Sequence, residues 1–126
     1  MPPFEPYSID GPQTWEWRGD EATRTRRAVA MLASPELVGN KQVLIALCRI
    51  PAGEGAPWHA HQDHEEFTYV LSGRGQFLAE GRAPIGVVQG SLSVIPPGLR
   101  HRHVAGADED LIFLWGYAPP GKQLQQ

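Results

Sequence analysis

Glycine and proline divide this chain into short segments. Its 126 residues include 14 glycines and 12 prolines, well above the usual shares of about 7% and 5%. Glycine weakens a helix and proline breaks its hydrogen bonding, so a chain interrupted this often does not suit a bundle of long helices. The sequence therefore predicts a fold of short segments joined by many turns.

Length and apolar content indicate one packed domain. A chain of 126 residues has the size of one ordinary domain and leaves no room for a second stable one. Its hydrophobic fraction of 41%, with 20% charged residues, is higher than that of disordered chains, which cannot offset the entropy lost on ordering. We expect a single folded domain.

The charge pattern argues against a polyanionic partner. The formal net charge is −3, and binding to nucleic acid needs a concentrated cationic face. Arg24, Arg26 and Arg27 form the only basic cluster, and Glu21 lies beside them. We interpret this cluster as a solvated edge and expect no nucleic-acid partner.

No segment is typical of secretion or of a membrane span. The longest apolar run, residues 43–48, has six residues, whereas a membrane helix needs about 20. The first residues lack the basic and apolar parts of a secretion signal, and the single Cys48 cannot close a disulfide within the chain. We expect a cytoplasmic protein with no membrane partner, in which Cys48 is an inert core residue.

Most apolar segments have the length and composition of β-strands. They are rich in β-branched and aromatic residues and are separated by Gly, Pro or acidic turns at the spacing of a sandwich or barrel. The predicted strands cover residues 27–32, 41–50, 66–72, 76–80, 87–88, 91–95, 101–105 and 111–117. Residues 33–36 are predicted to form a turn. The predicted fold class is all-β.

The two ends of the chain differ from its middle. Residues 1–40 are interpreted as an N-terminal arm and a first short strand, 41–117 as the barrel core, and 118–126 as a polar tail. Trp15 and Trp17 alternate on the arm, and two exposed tryptophans would be unfavourable, so we expect them to pack on the barrel or across a subunit boundary. A homodimer is therefore expected.

Four polar residues have the spacing of a metal site. Alternate residues of a strand point to the same face, so His59 and His61 can meet one point in space. Glu66 opens the next strand and can add an oxygen ligand, and His101 can supply a third nitrogen after the turn at 96–98. Glu65 is the alternative to Glu66 by a shift of one residue.

Two motifs resemble those of the cupin superfamily. The first has intervals of five, one, four and six residues between Gly53, His59, His61, Glu66 and Gly73. The second has intervals of five, one and two residues between Gly90, Pro96, Gly98 and His101. The family pattern then has Asn where this chain has Ala105, which affects the local turn and not the four candidate ligands.

The resemblance implies a single-domain jelly-roll β-barrel of two antiparallel sheets. It also implies that His59, His61, Glu66 and His101 point inward to one divalent metal ion, which the sequence leaves open among Fe, Mn, Ni, Co, Cu and Zn. Three imidazoles and one carboxylate leave positions free on a six-coordinate ion, where a small molecule can bind.

Further residues are candidates for roles beside the metal. Glu66 is a candidate proton shuttle as well as a ligand. His103 is either an acid–base group behind the ligands or a core histidine, and Arg49 either holds a substrate carboxylate or forms an outward salt bridge. Thr68 and Val70 share the face of Glu66 and are candidates to line the substrate pocket. His64 is interpreted as an exposed loop residue, with a rim contact to substrate as its alternative.

The resemblance implies a metal-dependent enzyme acting on a small organic molecule. Dioxygenase-type oxidation is the first expectation. Non-redox isomerisation, cyclisation, decarboxylation or lyase chemistry is the alternative, because a Lewis acid is enough for it. A cupin that binds a small ligand without catalysis is the third possibility, and one fold hosts many reactions.

Overall fold

Short strands dominate the structure, a computed structural model that describes residues 8–9 and 13–120. Strand and helix bounds are β1 (Glu16–Arg18), β2 (Arg27–Ala33), α1 (Pro35–Val38), β3 (Leu44–Ile50), β4 (Glu65–Ser72), β5 (Gly75–Ala79), β6 (Ile85–Val87), β7 (Leu92–Ile95), β8 (His101–Ala105) and β9 (Leu111–Ala118). All strand pairings among them are antiparallel. No helix of the described residues is long and apolar enough to span a membrane.

The strands form two sheets with the main core between them. Six strands lie in the order β1-β2-β3-β9-β4-β7 and three in the order β6-β5-β8. The main core draws on both sheets, with Leu44, Val70 and Phe113 from the larger one and Val87 and Ala105 from the smaller one. The prediction of an all-β jelly roll with two antiparallel sheets is confirmed.

Strand β2 is covered on both of its faces. Val29 belongs to the main core, and Met31 packs against it. Ala30 and Leu32 face a second apolar cluster, which Trp15 also joins. Because side chains alternate along a strand, Arg27 falls on the same face as Val29 and points into the barrel. The interpretation of Arg27 as part of a solvated edge is therefore wrong, since only 2% of it is exposed.

The predicted turn at 33–36 is partly a helix. Ser34 is the N-cap of α1, and its hydroxyl accepts a hydrogen bond from the backbone N–H of Leu37. Pro35 lies in the first turn, where its missing N–H costs nothing. The helix ends at Gly39, whose φ of 75° is in the left-handed region that favours glycine. A proline that suggested a turn therefore begins a helix of four residues.

The two arm tryptophans have different surroundings. Trp15 packs against the second apolar cluster, whereas Trp17 is 54% exposed and the guanidinium of Arg26 lies 5.3 Å from its ring centroid. The predictions for the arm and for the polar tail fall partly on residues 1–7, 10–12 and 121–126, which lie outside the described residues. The homodimer expected from the arm stays a prediction.

Candidate metal centre

Two separate stretches of backbone bring the candidate ligands together. His59 and His101 pair through two backbone hydrogen bonds of 3.0 and 2.9 Å. This bridge holds the loop between β3 and β4 against the start of β8. His59 and His61 therefore lie in a loop with two isolated bridges, at Gly55 and His59, and not in a regular strand, although both histidines reach the same site.

Glu66 is the meeting point of the side chains. Its Oε1 lies 3.5 Å from Nε2 of His61 and 3.2 Å from Nε2 of His101. One ligand atom each from His59, His61 and Glu66 lies within 4.8 Å of the others. His101 joins them through Glu66 and through the ring of His59, whose centroid is 4.4 Å from its own. The neighbouring Glu65 is exposed, so Glu66 is the carboxylate that faces the site.

The chemistry of these donor atoms fits a metal ion. Nδ1 of His59 lies 2.8 Å from the carbonyl oxygen of Pro57, and Nδ1 of His101 lies 2.8 Å from that of Leu99. A carbonyl only accepts, so each Nδ1 carries a proton, and Nε2 is the atom that each neutral ring would offer to a metal ion. Nε2 of both rings and Oε1 of Glu66 are buried without a hydrogen-bond partner. Unpaired donor atoms that converge in this way suit a cation.

The pKa values suit neutral imidazoles at His59 and His61 beside an ionised Glu66. Burial lowers the pKa of His59 to about 4 and lowers that of His61. Burial opposes ionisation of Glu66, but His101, His61 and His59 outweigh it, so the pKa of Glu66 is lowered. Burial likewise opposes a charge on His101, and the carboxylate of Glu66 outweighs it and raises the pKa of His101. A histidine must be neutral to bind a metal ion, so His59 and His61 have the required form, and His101 would give up to the solvent the proton that Glu66 favours.

His103 and Thr68 lie together behind the ligands. Nε2 of His103 is 3.4 Å from Oγ1 of Thr68, and its ring stacks on Phe113 with centroids 4.7 Å apart. Burial lowers the pKa of His103 to about 4, so it is a neutral interior histidine. Thr68 and Val70 are buried on the face of Glu66 as expected, and Val70 belongs to the main core.

The structure places Arg49 away from the site. Its Nε donates to Oδ2 of Asp110 at 2.8 Å, and both side chains are partly exposed. Arg49 therefore forms the outward ion pair that the sequence left as an alternative, and its assignment to the substrate pocket is corrected. The arginine that reaches the interior is Arg27, from the neighbouring strand β2.

Arg27 lines a small cavity beside the candidate ligands. The cavity measures about 10 Å³, roughly the space of one water molecule. Its walls are Arg27, Cys48, Ala56, His59, Glu66, His103, Phe113 and Trp115. Sequence reasoning missed Arg27, because both faces of its strand carry apolar residues. Cys48 is inert as expected, because burial raises the pKa of its thiol to about 12.

His64 lies closer to the site than expected. Its ring stacks on Tyr117 with centroids 3.8 Å apart and is 4.5 Å from the ring of His61. It is only partly exposed, so the interpretation as an exposed loop residue is wrong. His64 does not belong to the group whose ligand atoms converge, and it supports His61 from the side.

Comparisons with known proteins agree with this architecture. Residues 46–117 match the family model of the cupin domain. A protein of Thermotoga maritima named oxalate-binding protein is 30% identical over 86 residues, which cover 68% of this chain and 70% of that protein. Because the family model matches more than half of the chain, the chain belongs to the cupin family.

Solved structures give the same fold. A predicted oxalate decarboxylase of Thermotoga maritima superposes with a TM-score of 0.73 at 26% identity, covering 85% of this chain and 93% of that one. A cupin-2 domain protein of Rhodospirillum rubrum superposes with a TM-score of 0.74 at 24% identity, covering 98% of this chain and 80% of that one. The latter likeness shows the fold alone.

Proposed function

We propose that this chain is a metal-dependent enzyme that binds a small organic acid at one divalent ion. His59, His61, Glu66 and His101 would hold the ion. The observation that carries this proposal is the convergence of Glu66 Oε1 with the buried, unpaired Nε2 atoms of His59 and His101. A divalent ion supplies Lewis-acid or redox chemistry when it is bound there.

Two reaction classes follow from this site. The names of two relatives, an oxalate-binding protein and a predicted oxalate decarboxylase, support metal-assisted decarboxylase or lyase chemistry on a small acid. We therefore propose this non-redox class first. Dioxygenase-type oxidation, the first expectation from sequence, is the second candidate, because the same ligand set also suits redox-active ions. The name of the first relative also supports binding without turnover.

The chain's own residues would bind and orient the acid. Trp115, Phe113 and Ala56 line the cavity beside the candidate ligands, and such apolar walls would strengthen electrostatic contacts to a bound acid. Glu66 is the one carboxylate among the walls, so it is the group placed to accept or return a proton. This role rests on its position and is proposed in addition to metal binding.

Reaction assays separate the classes. Protein purified without chelator would be incubated with oxalate, other short organic acids, diketones and catechols, while carbon dioxide release and oxygen uptake are recorded. Carbon dioxide release from an acid without oxygen uptake would support the first class, and substrate-dependent oxygen uptake the second. Activity that persists unchanged in the metal-depleted His101→Ala variant would contradict the proposal.

A second variant tests the proton role of Glu66. The Glu66→Gln amide keeps one oxygen that can bind a metal but cannot take up a proton at neutral pH. We expect metal affinity to fall less than activity. Equal losses of metal affinity and activity would show that Glu66 acts as a ligand only.

The homodimer and the cytoplasmic location are also proposals. The dimer is supported by the exposed Trp17 on β1, the outermost strand of the larger sheet, since such edges readily pair with another chain. A single monomeric species in sedimentation at micromolar concentration would contradict it. The location rests on the sequence features described above.

A further inference from the structure

Arg27 is a buried cation, and two of its nitrogens have no hydrogen-bond partner among the described residues. It is 2% exposed, and its Nε and Nη1 atoms are buried without a hydrogen bond. Among the described residues, no carboxylate oxygen lies within the 4.0 Å of an ion pair with its guanidinium. An unpaired charge in a protein interior costs several kcal/mol. The fold therefore keeps a costly group whose purpose the packing does not explain.

The strand holds Arg27 in this orientation from its other side. The preceding Arg26 forms an ion pair with Glu54, with Nη2 and Oε2 at 2.8 Å, and its backbone N–H also donates to Glu54. Alternation along β2 then directs Arg27 to the opposite face, toward the barrel interior. Arg27 lines the same cavity as His59 and Glu66.

We propose that Arg27 binds a carboxylate group of the molecule that occupies the metal centre. This inference rests on the proposed function and names the group that selects the ligand. Guanidinium groups pair with carboxylates through two parallel N–H···O bonds, and Nε and an Nη nitrogen form such a fork. A carboxylate beside the guanidinium would satisfy the two unpaired nitrogens.

The charge balance of the site supports an anion. Glu66 is the only acidic residue among the cavity walls, and Arg27 is a cation among them. A divalent ion together with Arg27 would leave the interior with excess positive charge. A bound carboxylate reduces that excess, and its second oxygen is free to reach the ion.

The test compares two arginines of neighbouring strands. Arg27→Met removes the charge and keeps much of the side-chain length, and Arg49→Met is the matched control because Arg49 pairs outward with Asp110. Oxalate, formate and the neutral oxamide would be titrated calorimetrically into the metal-loaded full chain. Metal content would be measured on the same samples, since free oxalate also chelates metal ions.

We expect the wild type and Arg49→Met to bind oxalate alike and more tightly than oxamide. Arg27→Met should bind oxalate at least tenfold more weakly at unchanged metal content. When both proteins are measured without oxalate, Arg27→Met should also melt at a higher temperature than the wild type, because it lacks the buried charge. Arg27→Lys, which keeps the charge without the fork, should give weak oxalate binding if Arg27→Met does not fold.

Failure of this inference is distinct from failure of the proposed function. The inference is overturned if metal-loaded Arg27→Met binds oxalate as tightly as the wild type. Arg27→Lys takes its place if Arg27→Met does not fold. This result would leave the proposed metal centre intact. Wild type that binds metal but neither oxalate nor formate overturns the inference as well. If the wild type binds no metal, the proposed function fails. In that case the melting temperatures of the metal-free proteins decide the inference. It is supported if oxalate raises the melting temperature of the wild type and not that of Arg27→Met, and it is overturned otherwise.

Discussion

Nε2 of His101 lies 3.2 Å from Oε1 of Glu66, although the two residues belong to different sheets. Both side chains are almost fully buried, at 1% and 5% exposure. The contact joins β8 of the smaller sheet to β4 of the larger one at the point where the candidate ligands meet. The site is therefore built across the barrel, and each sheet must be in place before it forms.

The barrel itself should not depend on the metal ion. We expect His61→Ala to lose most of its metal affinity while keeping the wild-type circular dichroism spectrum, because the packed core between the sheets supplies the folding free energy. Melting would be followed with and without chelator. A variant that is unfolded at 25 °C would show that the ion holds the barrel together, contrary to this account.

The Thr68 hydroxyl should stabilise His103 in the interior. Thr68→Val keeps the shape of the side chain and removes the partner 3.4 Å from Nε2 of His103. Leaving a buried polar group unsatisfied costs about 1–3 kcal/mol. Because this contact is long, we expect Thr68→Val to lower the free energy of unfolding by about 1 kcal/mol. Urea unfolding measures it, and metal content should not change. Unchanged stability would mean that the contact contributes nothing.

The pair of Arg26 and Glu54 should make stability depend on pH. The side-chain hydrogen bond from Arg26 lowers the pKa of Glu54 below its usual 4.5. A lowered pKa in the folded state stabilises the fold above the unfolded pKa, and this contribution is lost as pH falls through the lowered value. Glu54→Gln should therefore be less stable than the wild type at pH 7, with a smaller difference at pH 3.

A matched variant controls for the loss of a surface charge. Glu16 pairs with Arg18 at 2.9 Å, but its side chain is well exposed, and exposed pairs contribute little. Glu16→Gln should change the free energy of unfolding far less than Glu54→Gln at pH 7. The Glu54 prediction is contradicted if its difference from the wild type is the same at pH 3 and pH 7.

Two glycines of the smaller sheet should respond differently to alanine. A Cβ at Gly75 would lie 2.0 Å from the carbonyl oxygen of Val104, a backbone atom of the paired strand that cannot move aside. A Cβ at Gly86 would meet nothing within 4 Å. We expect the free energy of unfolding, measured with urea, to fall by about 1–3 kcal/mol in Gly75→Ala. In Gly86→Ala it should stay near the wild-type value. Equal stability of both variants would contradict the packing of β5 against β8.

The candidate ligands could be predicted because their spacing is local and specific. His59, His61 and Glu66 lie within eight residues, and the Pro and Gly of the second motif set the approach of His101. The all-β class followed from short branched segments between turns. The spacing of the motif did not predict the loop conformation at His59 and His61. That conformation depends on the backbone bridge from His59 to His101.

The orientation of Arg27 could not be predicted from the sequence of β2. Both faces of that strand carry apolar residues, because one packs on the main core and the other on the second cluster. Alternation therefore did not tell which face was interior, and the neighbouring arginines suggested solvent. The sequence left two orientations open for Arg49, since its partner Asp110 is 61 residues away along the chain.

Metal stoichiometry tests the central claim most directly. Elemental analysis of protein purified without chelator or an affinity metal should give about one divalent ion per chain. His101→Ala should contain much less, and His64→Ala, which changes a histidine beside the convergent group, should match the wild type. Two results would contradict the account. One is a wild type that binds no metal even after incubation with Fe, Mn, Ni, Co, Cu or Zn ions. The other is a His101→Ala variant with full metal occupancy.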